Sequence, residues 1–203
     1  INELFPFLCY LCGNFSEDRI CQACKRTWQK IPSSGKKIEH SYWLTPKLRD
    51  AIYQVKYHSQ PSLLDDLCSD ISDLTYSEHT IWVPVPLTFS RYRERGFNQS
   101  LLLCKIMSRK YGGEIDAKSL RRKTFSGSQT KLGKKQRQMN LKNAFVWKPA
   151  KRIDLTHVVV VDDVYTTGTS MREVYEDGAI GIVVFARNEI KDDWIRAIWQ
   201  ISI

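Results

Sequence analysis

The sequence predicts an α/β protein, in which a mainly parallel sheet carries helices on both faces and a small zinc-ribbon-like knuckle precedes it. Four consecutive valines, Val158–Val161, indicate a strand buried on both faces, as strands of parallel sheets are. Strand-like runs alternate along the chain with segments of helical period. Two CxxC pairs stand ahead of all these elements and predict the knuckle.

The chain has 203 residues, of which 42% are hydrophobic, and this length suits one medium domain with a small appendage. We place a four-cysteine zinc finger at 1–36 and the α/β domain at 37–203. No stretch is long and apolar enough for a transmembrane helix. The first residues lack the basic region and cleavage site of a signal peptide, so we expect a cytoplasmic protein.

The knuckle is predicted from four cysteines with the spacing C-x2-C-x8-C-x2-C, namely Cys9, Cys12, Cys21 and Cys24. Each CxxC turn directs two thiolates to one point, and two such turns complete a tetrahedral zinc shell. Two disulfides or a redox-active CxxC are the alternatives. Since sulfur would fill all four positions, the predicted zinc is structural. Cys68 and Cys104 lie among apolar residues at helical spacing and are predicted to be core residues.

The first helices of the α/β domain follow a loop at 31–37. Thr45 and Pro46 have the residue types of a helix cap and first position. The buried face of this helix is predicted to consist of Leu48, Ile52 and Val55. A second helix is predicted from Ser62, with an inward face formed by Leu63, Leu64, Leu67, Ile71 and Leu74.

The later elements are predicted from β-branched runs and helical periods. A short strand at 81–87 ends in a loop because of its two prolines. A helix runs from about 98 to 111, and a strand is predicted near 114–120. The strand at 157–161, a helix at about 168–177 and a strand at 180–186 complete a βαβ unit. The tail at 194–203 fits either a strand or a short helix.

Two carboxylates, Asp162 and Asp163, follow the valine strand and are called the acid pair below. Ligands of parallel sheets bind beyond the carboxyl ends of the strands, which places the acid pair at the ligand-binding edge. Small hydroxyl residues and a glycine then open a helix, where free N–H groups can bind phosphate: Thr166, Thr167, Gly168, Thr169 and Ser170. The combination fits a ribose 5-phosphate. The alternative is an ordinary strand–turn–helix in which the aspartates cap the helix.

The net charge of +9 is local. Residues 119–152, called the basic segment below, contain 11 Lys or Arg and no Asp or Glu, so the rest of the chain is close to neutral. Such a block is typical of a solvated loop or of a site for phosphate or nucleic acid. Three aromatic residues lie within it, Phe125, Phe145 and Trp147, and they fit either base stacking or the core of a neighbouring strand.

Three strings carry a resemblance to known families. VVVVDDVYTTGTS at 158–170 resembles the phosphoribosyl-diphosphate (PRPP) signature of type I phosphoribosyltransferases, although Tyr165 replaces the more common aliphatic residue. VPVPLTFSRYRERGFNQS at 83–100 and SLRRKTFSGSQTKLGKKQRQMNLKNAF at 119–145 resemble segments of the ComF competence proteins. IYQVKY at 52–57 and the doubled CxxC are similar to theirs too. The resemblance covers the chain from Cys9 to about Arg187.

The resemblance implies a type I phosphoribosyltransferase-like fold with an N-terminal zinc finger, and a role in natural transformation. The acid pair would hold the ribose hydroxyls of PRPP, and residues 166–170 the 5-phosphate. The loop after Val85 would contact the pyrophosphate and its Mg²⁺ through Arg91, Arg95, Gly96, Phe97 and Asn98. Lys56 is a weaker phosphate candidate, since a single lysine on a helix is usually just exposed. The basic segment corresponds to the mobile loop that covers the site in related transferases.

Two functions of different classes fit these residues. One is a competence protein that binds PRPP and assists the entry of single-stranded DNA, with nucleic-acid contacts from Lys131, Lys134, Lys135 and Arg137. Such a protein would meet other components of the DNA-uptake machinery and could lie peripherally at the inner membrane. The other is an active phosphoribosyltransferase with an unidentified acceptor. Purine-type transferases place an aspartate general base where this chain has Thr166, which weakens an assignment to purine salvage. A zinc-bearing adaptor with a vestigial site is a third alternative, which the intact acid pair disfavours.

Overall fold

The structure is a computed structural model that describes residues 7–31, 38–69, 76, 78–123, 145–149, 152–165 and 181–187. The knuckle contains β1 (Phe7–Leu8), β2 (Phe15–Ser16) and α1 (Gln22–Lys25). In chain order there follow β3 (Ile38–Trp43), α2 (Pro46–Tyr57), α3 (Leu63–Cys68), β4 (Ile81–Pro84), α4 (Phe89–Arg95), α5 (Gln99–Tyr111), β5 (Glu114–Ile115), β6 (Leu120–Arg122), β7 (Phe145–Trp147), β8 (Val158–Tyr165) and β9 (Gly181–Arg187).

A five-stranded sheet in the order β3-β9-β8-β4-β5 forms the centre of the molecule, and all of its neighbouring strands are parallel. The register places Val83 opposite Val160 and Pro84 opposite Val161. The predicted parallel α/β architecture is therefore confirmed, and so is the short strand that ends at the first proline of IWVPVPL.

The valine strand β8 is buried on both faces, because alternate side chains point to opposite sides of a sheet. Val159 and Val161 belong to a core cluster that also contains apolar residues of α2, α3 and α5. Val158 and Val160 pack in a second cluster with Leu120 and Phe145 of the antiparallel β6–β7 ribbon. Within the described ranges, helices thus cover one face and this ribbon the other; the helix predicted at 168–177 lies outside them.

The helix α2 has the predicted cap and the predicted buried face of Leu48, Ile52 and Val55. The Thr45 hydroxyl accepts a hydrogen bond from the Leu48 N–H at 3.4 Å, and Pro46 is the first residue of α2. The helix α5 begins after Asn98, whose side chain accepts from the Ser100 N–H at 3.0 Å. The three leucines predicted on the inward face of α3 are buried, whereas 71 and 74 lie outside the described residues.

Three predictions about elements were wrong, and one strand was missed. The strand predicted near 114–120 is two strands, β5 and β6, in different sheets. Asp116 separates them, because its carboxylate accepts the N–H groups of Lys118 and Ser119 at 2.9 and 3.0 Å and forms a tight turn. The edge strand β3 received no prediction, since its polar centre, Glu-His-Ser, has no apolar alternation. The segment after Val85, expected to be a loop, contains the helix α4. The strand β8 does not end at 161 but continues to Tyr165.

Candidate functional site

The acid pair lies where β8 runs past the end of its neighbour β4. The last paired residue of β4 is Pro84, opposite Val161, and one further bond joins the Val85 N–H to the Val161 carbonyl at 3.0 Å. On its other side β8 stays paired with β9 as far as Tyr165. The acid pair therefore lies on the part of β8 that extends beyond the end of β4, at the carboxyl edge of the sheet where ligands of parallel sheets bind.

Asp162 is positioned by the first turn of α5 and by the backbone of its own strand. The Ser100 hydroxyl and the Asp163 N–H both donate to Oδ1 of Asp162, each at 2.9 Å. The side chain is half-buried. Burial and, after it, the neighbouring Asp163 carboxylate raise the pKa of Asp162 to about 7. Asp162 thus binds its proton over a pH range in which an ordinary aspartate is ionised.

Asp163 lies deeper than Asp162 and is only 5% exposed. Its Oδ2 forms an ion pair with the Lys56 ammonium of α2. Its Oδ1 accepts a long hydrogen bond of 3.5 Å from the Gln99 side-chain amide. The two aspartates therefore differ in role: Asp163 is enclosed by protein donors, whereas Asp162 retains contact with solvent.

A buried arginine lies behind this arrangement. Arg95, the last residue of α4, is 8% exposed and donates to the Gln99 side-chain oxygen at 3.0 Å and to the Tyr57 hydroxyl at 3.3 Å. The centre of its guanidinium is 5.0 Å from the Tyr57 ring centroid. Its Nε has no hydrogen-bond partner. Among the residues that the structure describes, none forms an ion pair with Arg95, and the hydrogen-bond partners of this buried charge, Gln99 and Tyr57, are neutral.

The other residues predicted for the pyrophosphate have varied environments. Arg91 is exposed on α4, and Gly96 ends that helix with a left-handed φ of 78°. Phe97 is half-buried against the core. The Asn98 amide donates to the Val85 carbonyl at 3.0 Å, besides its capping role. Pyrophosphate binding by these residues stays a prediction.

Some predicted residues lie outside the described part of the chain. They comprise the predicted phosphate loop, Thr166, Thr167, Gly168, Thr169 and Ser170, and the predicted nucleic-acid contacts, Lys131, Lys134, Lys135 and Arg137. Of the aromatics in the basic segment, Phe145 is 5% exposed and Trp147 is half-buried, so both belong to the second core cluster. For these two residues the core interpretation is the correct one.

Sequence reasoning missed three residues of the site and undervalued a fourth. Tyr57, Gln99 and Ser100 received no role, although they lie in the strings IYQVKY and RGFNQS. Lys56 was predicted only as a weak phosphate candidate, and the structure pairs it with Asp163. The spacing indicated that Lys56 faces the interior of the domain, because it lies one helical turn after the buried Ile52 and therefore on the same face of α2.

The four knuckle cysteines converge, with all Sγ atoms within 4.8 Å of one another. The Sγ atoms of Cys9 and Cys24 are 3.9 Å apart, and those of Cys12 and Cys21 are 3.6 Å apart. Tetrahedral zinc with bonds of about 2.3 Å separates its sulfurs by about 3.8 Å, whereas a disulfide requires about 2.05 Å. The geometry fits a metal ion such as zinc and does not fit disulfides.

The knuckle packs against the α/β domain. Cys9, Ile20, Cys24 and Trp28 belong to the same core cluster as residues of α2 and α3. Arg19 also pairs with Asp66 of α3 at 3.5 Å. The remaining cysteines, Cys68 and Cys104, are core residues as predicted, and burial raises the pKa of both thiols.

No helix among the described residues is long and apolar enough to cross a bilayer. No protein-family model matches the sequence. Curated relatives do match. DNA utilization protein YhgH of Escherichia coli (strain K12) is 28% identical over 223 residues, covering 89% of this chain and 96% of the relative.

Two further relatives extend the comparison. DNA utilization protein YhgH of Salmonella typhi is 31% identical over 163 residues, which cover 74% of this chain and 69% of the relative. Competence protein ComFC of Bacillus subtilis (strain 168) is 24% identical over 180 residues, which cover 84% of this chain and 71% of the relative. These matches extend well beyond the acid-pair string.

Proposed function

The chain belongs to the ComF family of competence and DNA utilization proteins, and we propose that it binds PRPP at the acid pair and assists the uptake of single-stranded DNA. The observation that carries the proposal is Asp162, a half-buried carboxylate at the carboxyl edge of a parallel sheet. Ligands bind at this edge in open α/β sheets, and a carboxylate accepts hydrogen bonds from ribose hydroxyls.

The difference between the two aspartates refines the proposal. Asp163 already has Lys56 and Gln99 as partners, so Asp162 is the carboxylate better placed to accept a ribose hydroxyl. Asp163 would then join the end of β8 to α2 through its ion pair with Lys56. The predicted phosphate loop at 166–170 begins three residues after Asp163, close enough for one nucleotide-sized ligand to bridge them.

The buried Arg95 favours an anionic ligand. A buried guanidinium is normally paired, and Arg95 has neutral neighbours and an unpartnered Nε. A pyrophosphate beside α4 would supply the missing negative charge, and the exposed Arg91 of the same helix could bind the same anion. Mg²⁺ prefers oxygen ligands and phosphate, so it would bind with the pyrophosphate of PRPP, and Asp162 supplies a protein oxygen of the right kind.

The role in DNA uptake rests on the family and on the basic segment. We propose that Lys131, Lys134, Lys135 and Arg137 contact phosphates of a single strand, since this segment concentrates positive charge without acidic residues. The protein would act in the cytoplasm, near the membrane components through which the strand enters.

An active phosphoribosyltransferase is the second candidate function. Transfer from PRPP proceeds mainly through positioning and through neutralisation of the leaving pyrophosphate, and so needs no dedicated nucleophile. The acid pair and the arginines of α4 are compatible with it. Release of pyrophosphate in the presence of candidate acceptors would distinguish it from binding alone.

For the knuckle we propose one structural zinc per chain, bound by Cys9, Cys12, Cys21 and Cys24. All four ligands are thiolates, so no coordination position remains for water or substrate. The division at residue 36 also stays a proposal, with the knuckle as an attached zinc finger rather than an independent unit.

Calorimetric titration with PRPP and Mg²⁺ tests the ligand. We expect binding by the natural protein and none by Asp162→Asn/Asp163→Asn, which lacks the charged acceptors but has nearly the same shape. Lys105→Met, an exposed change on α5, is the control. Undiminished affinity of the double variant would place PRPP elsewhere.

A further inference from the structure

The helix α4 is unusual because it projects almost all of its side chains into solvent. All seven of its residues are described, and Arg95 alone is buried. A seven-residue helix is too short to be stable by itself. It is held by the Thr88 cap, by the left-handed Gly96 and by the bonds of Arg95. Its exposed residues therefore contribute little to the core, and their types need another explanation.

Two of these exposed residues are large aromatics. The Phe89 side chain is 76% exposed and Tyr92 is 52% exposed. They are three positions apart and therefore share one face of the helix. Arg93, four positions after Phe89, lies on the same face with its guanidinium 5.8 Å from the Phe89 ring centroid. We call Phe89, Tyr92 and Arg93 the α4 platform.

A second group of exposed aromatics lies at the end of α2. Tyr53 and Tyr57 are 52% and 48% exposed, with ring centroids 4.7 Å apart. The His58 ring is 5.4 Å from Tyr53. Tyr57 contacts Arg95 of α4, so the ends of the two helices meet. Since α4 is only seven residues long, this contact places the aromatics of α2 next to the helix that carries the α4 platform.

The charge of this side favours a polyanion. Arg91 and Arg93 are both exposed, and in the described part of the chain neither has a carboxylate partner, while Glu94 is the one acidic residue of α4. Aromatics that alternate with unpaired arginines are what a single strand requires, since bases stack on rings and phosphates pair with guanidinium groups. A protein partner could also bind the exposed aromatics, but it would not in general supply the anions with which the two arginines pair.

We propose that the α4 platform, with Tyr53 and Tyr57 beside it, is a base-stacking surface for single-stranded DNA. The inference rests on the proposed role in DNA uptake and adds a second contact region to it. The basic segment would bind phosphates, and the α4 platform would hold the bases of the same strand. Since the surface reads no base edges, it binds with little sequence preference.

The test compares two probes of equal length, a fluorescent oligothymidylate and an abasic deoxyribose-phosphate chain, by anisotropy at low salt. The variant is Phe89→Ala/Tyr92→Ala, which removes both rings without touching the core. The matched control is Phe15→Ala/Tyr10→Ala on the knuckle, where the natural side chains are 77% and 40% exposed. Circular dichroism and thermal melting check that each variant is folded.

We expect the natural protein to bind oligothymidylate more tightly than the abasic chain. The platform variant should lose at least about 10-fold in affinity for oligothymidylate, since stacking contributes about 1–3 kcal/mol per base. Its affinity for the abasic chain should not change, and the control should bind both probes normally. For Arg93→Ala, log affinity should fall less steeply with log salt, with a slope smaller in magnitude by about 0.7.

Three results would overturn the inference. If the natural protein binds both probes equally, bases contribute nothing to affinity. If the platform variant binds oligothymidylate normally, the bases lie elsewhere, and the proposed role in DNA uptake still stands. If the natural protein binds neither probe, the DNA-binding part of the proposed function fails together with the inference.

Discussion

Replacement of Lys56 by methionine is the most direct test of how the acid pair is held. The Lys56 side chain is 19% exposed and that of Asp163 is 8% exposed, so the ion pair between them is largely removed from water. Methionine keeps the length and the apolar stem of lysine and removes only the charge. The Asp163 carboxylate would then be left with the 3.5 Å bond from Gln99 and with a second carboxylate, Asp162, next to it.

The expected loss follows from this geometry. Breaking a buried ion pair costs about 3–5 kcal/mol, and the residual exposure of Lys56 reduces this to about 2–4 kcal/mol in the free energy of unfolding. For a chain of this size we expect a fall in Tm of about 4–16 °C. Asp163→Asn should cost less, about 1 kcal/mol, because the freed ammonium can turn toward solvent.

Urea unfolding of four proteins measures the pair: the natural chain, Lys56→Met, Asp163→Asn and the double variant. The double variant should recover most of the loss caused by Lys56→Met, since no buried charge remains without a partner, which corresponds to a coupling energy of about 2 kcal/mol or more. Lys105→Met, an exposed substitution, is the control. Equal losses for Lys56→Met and Lys105→Met, or additive losses in the double variant, would show that Lys56 does not neutralise Asp163.

Three further predictions concern Asp162, the knuckle and the basic segment. The pKa of Asp162 in the folded protein, about 7, lies above its unfolded value, so stability should fall as the pH rises from about 4 to about 7. Melting curves at pH 5 and pH 8 should show that Asp162→Asn has a smaller loss over this range, by about 1–2 kcal/mol, and equal slopes would contradict the assignment. Metal analysis should give one zinc per chain, and Cys12→Ser, an exposed ligand position, should lose zinc and weaken the packing around Trp28; zinc-free protein with paired thiols would refute this. Replacing Lys131, Lys134, Lys135 and Arg137 by alanine should flatten the salt dependence of single-strand affinity by about three units, and an unchanged slope would move the phosphate contacts off the basic segment.

Elements determined by local patterns could be predicted from the sequence. The valine strand, the capped helices α2 and α5 and the four-cysteine knuckle each depend on residues close together in the chain, so period and spacing were sufficient. The edge strand β3 could not be found in this way. It is a strand because β9, more than 130 residues later, pairs with it, and its polar centre carries no pattern of its own.

The residues of the candidate site likewise differ in whether a local sequence pattern identifies them. The acid pair was identifiable because a buried strand followed by two aspartates is a local pattern. The partners of the pair were not, since Lys56, Gln99 and Ser100 come from α2 and α5 and meet the strand only in the folded chain. The basic run at 91–95 has the composition of a solvated turn, and nothing local distinguishes Arg95 from its exposed neighbours Arg91 and Arg93.

Arg95 connects the two proposed ligand-binding regions, the acid pair and the α4 platform. It ends the helix that carries the α4 platform, and through Gln99 it is one residue removed from Asp163. An anion that reached Arg95 would change the charge balance of the interior at the one buried residue that anchors α4. A strand of DNA on the platform would act on the same helix from outside. We therefore expect the binding free energy of each ligand to depend on the other, and thermodynamic linkage requires the two effects to be equal.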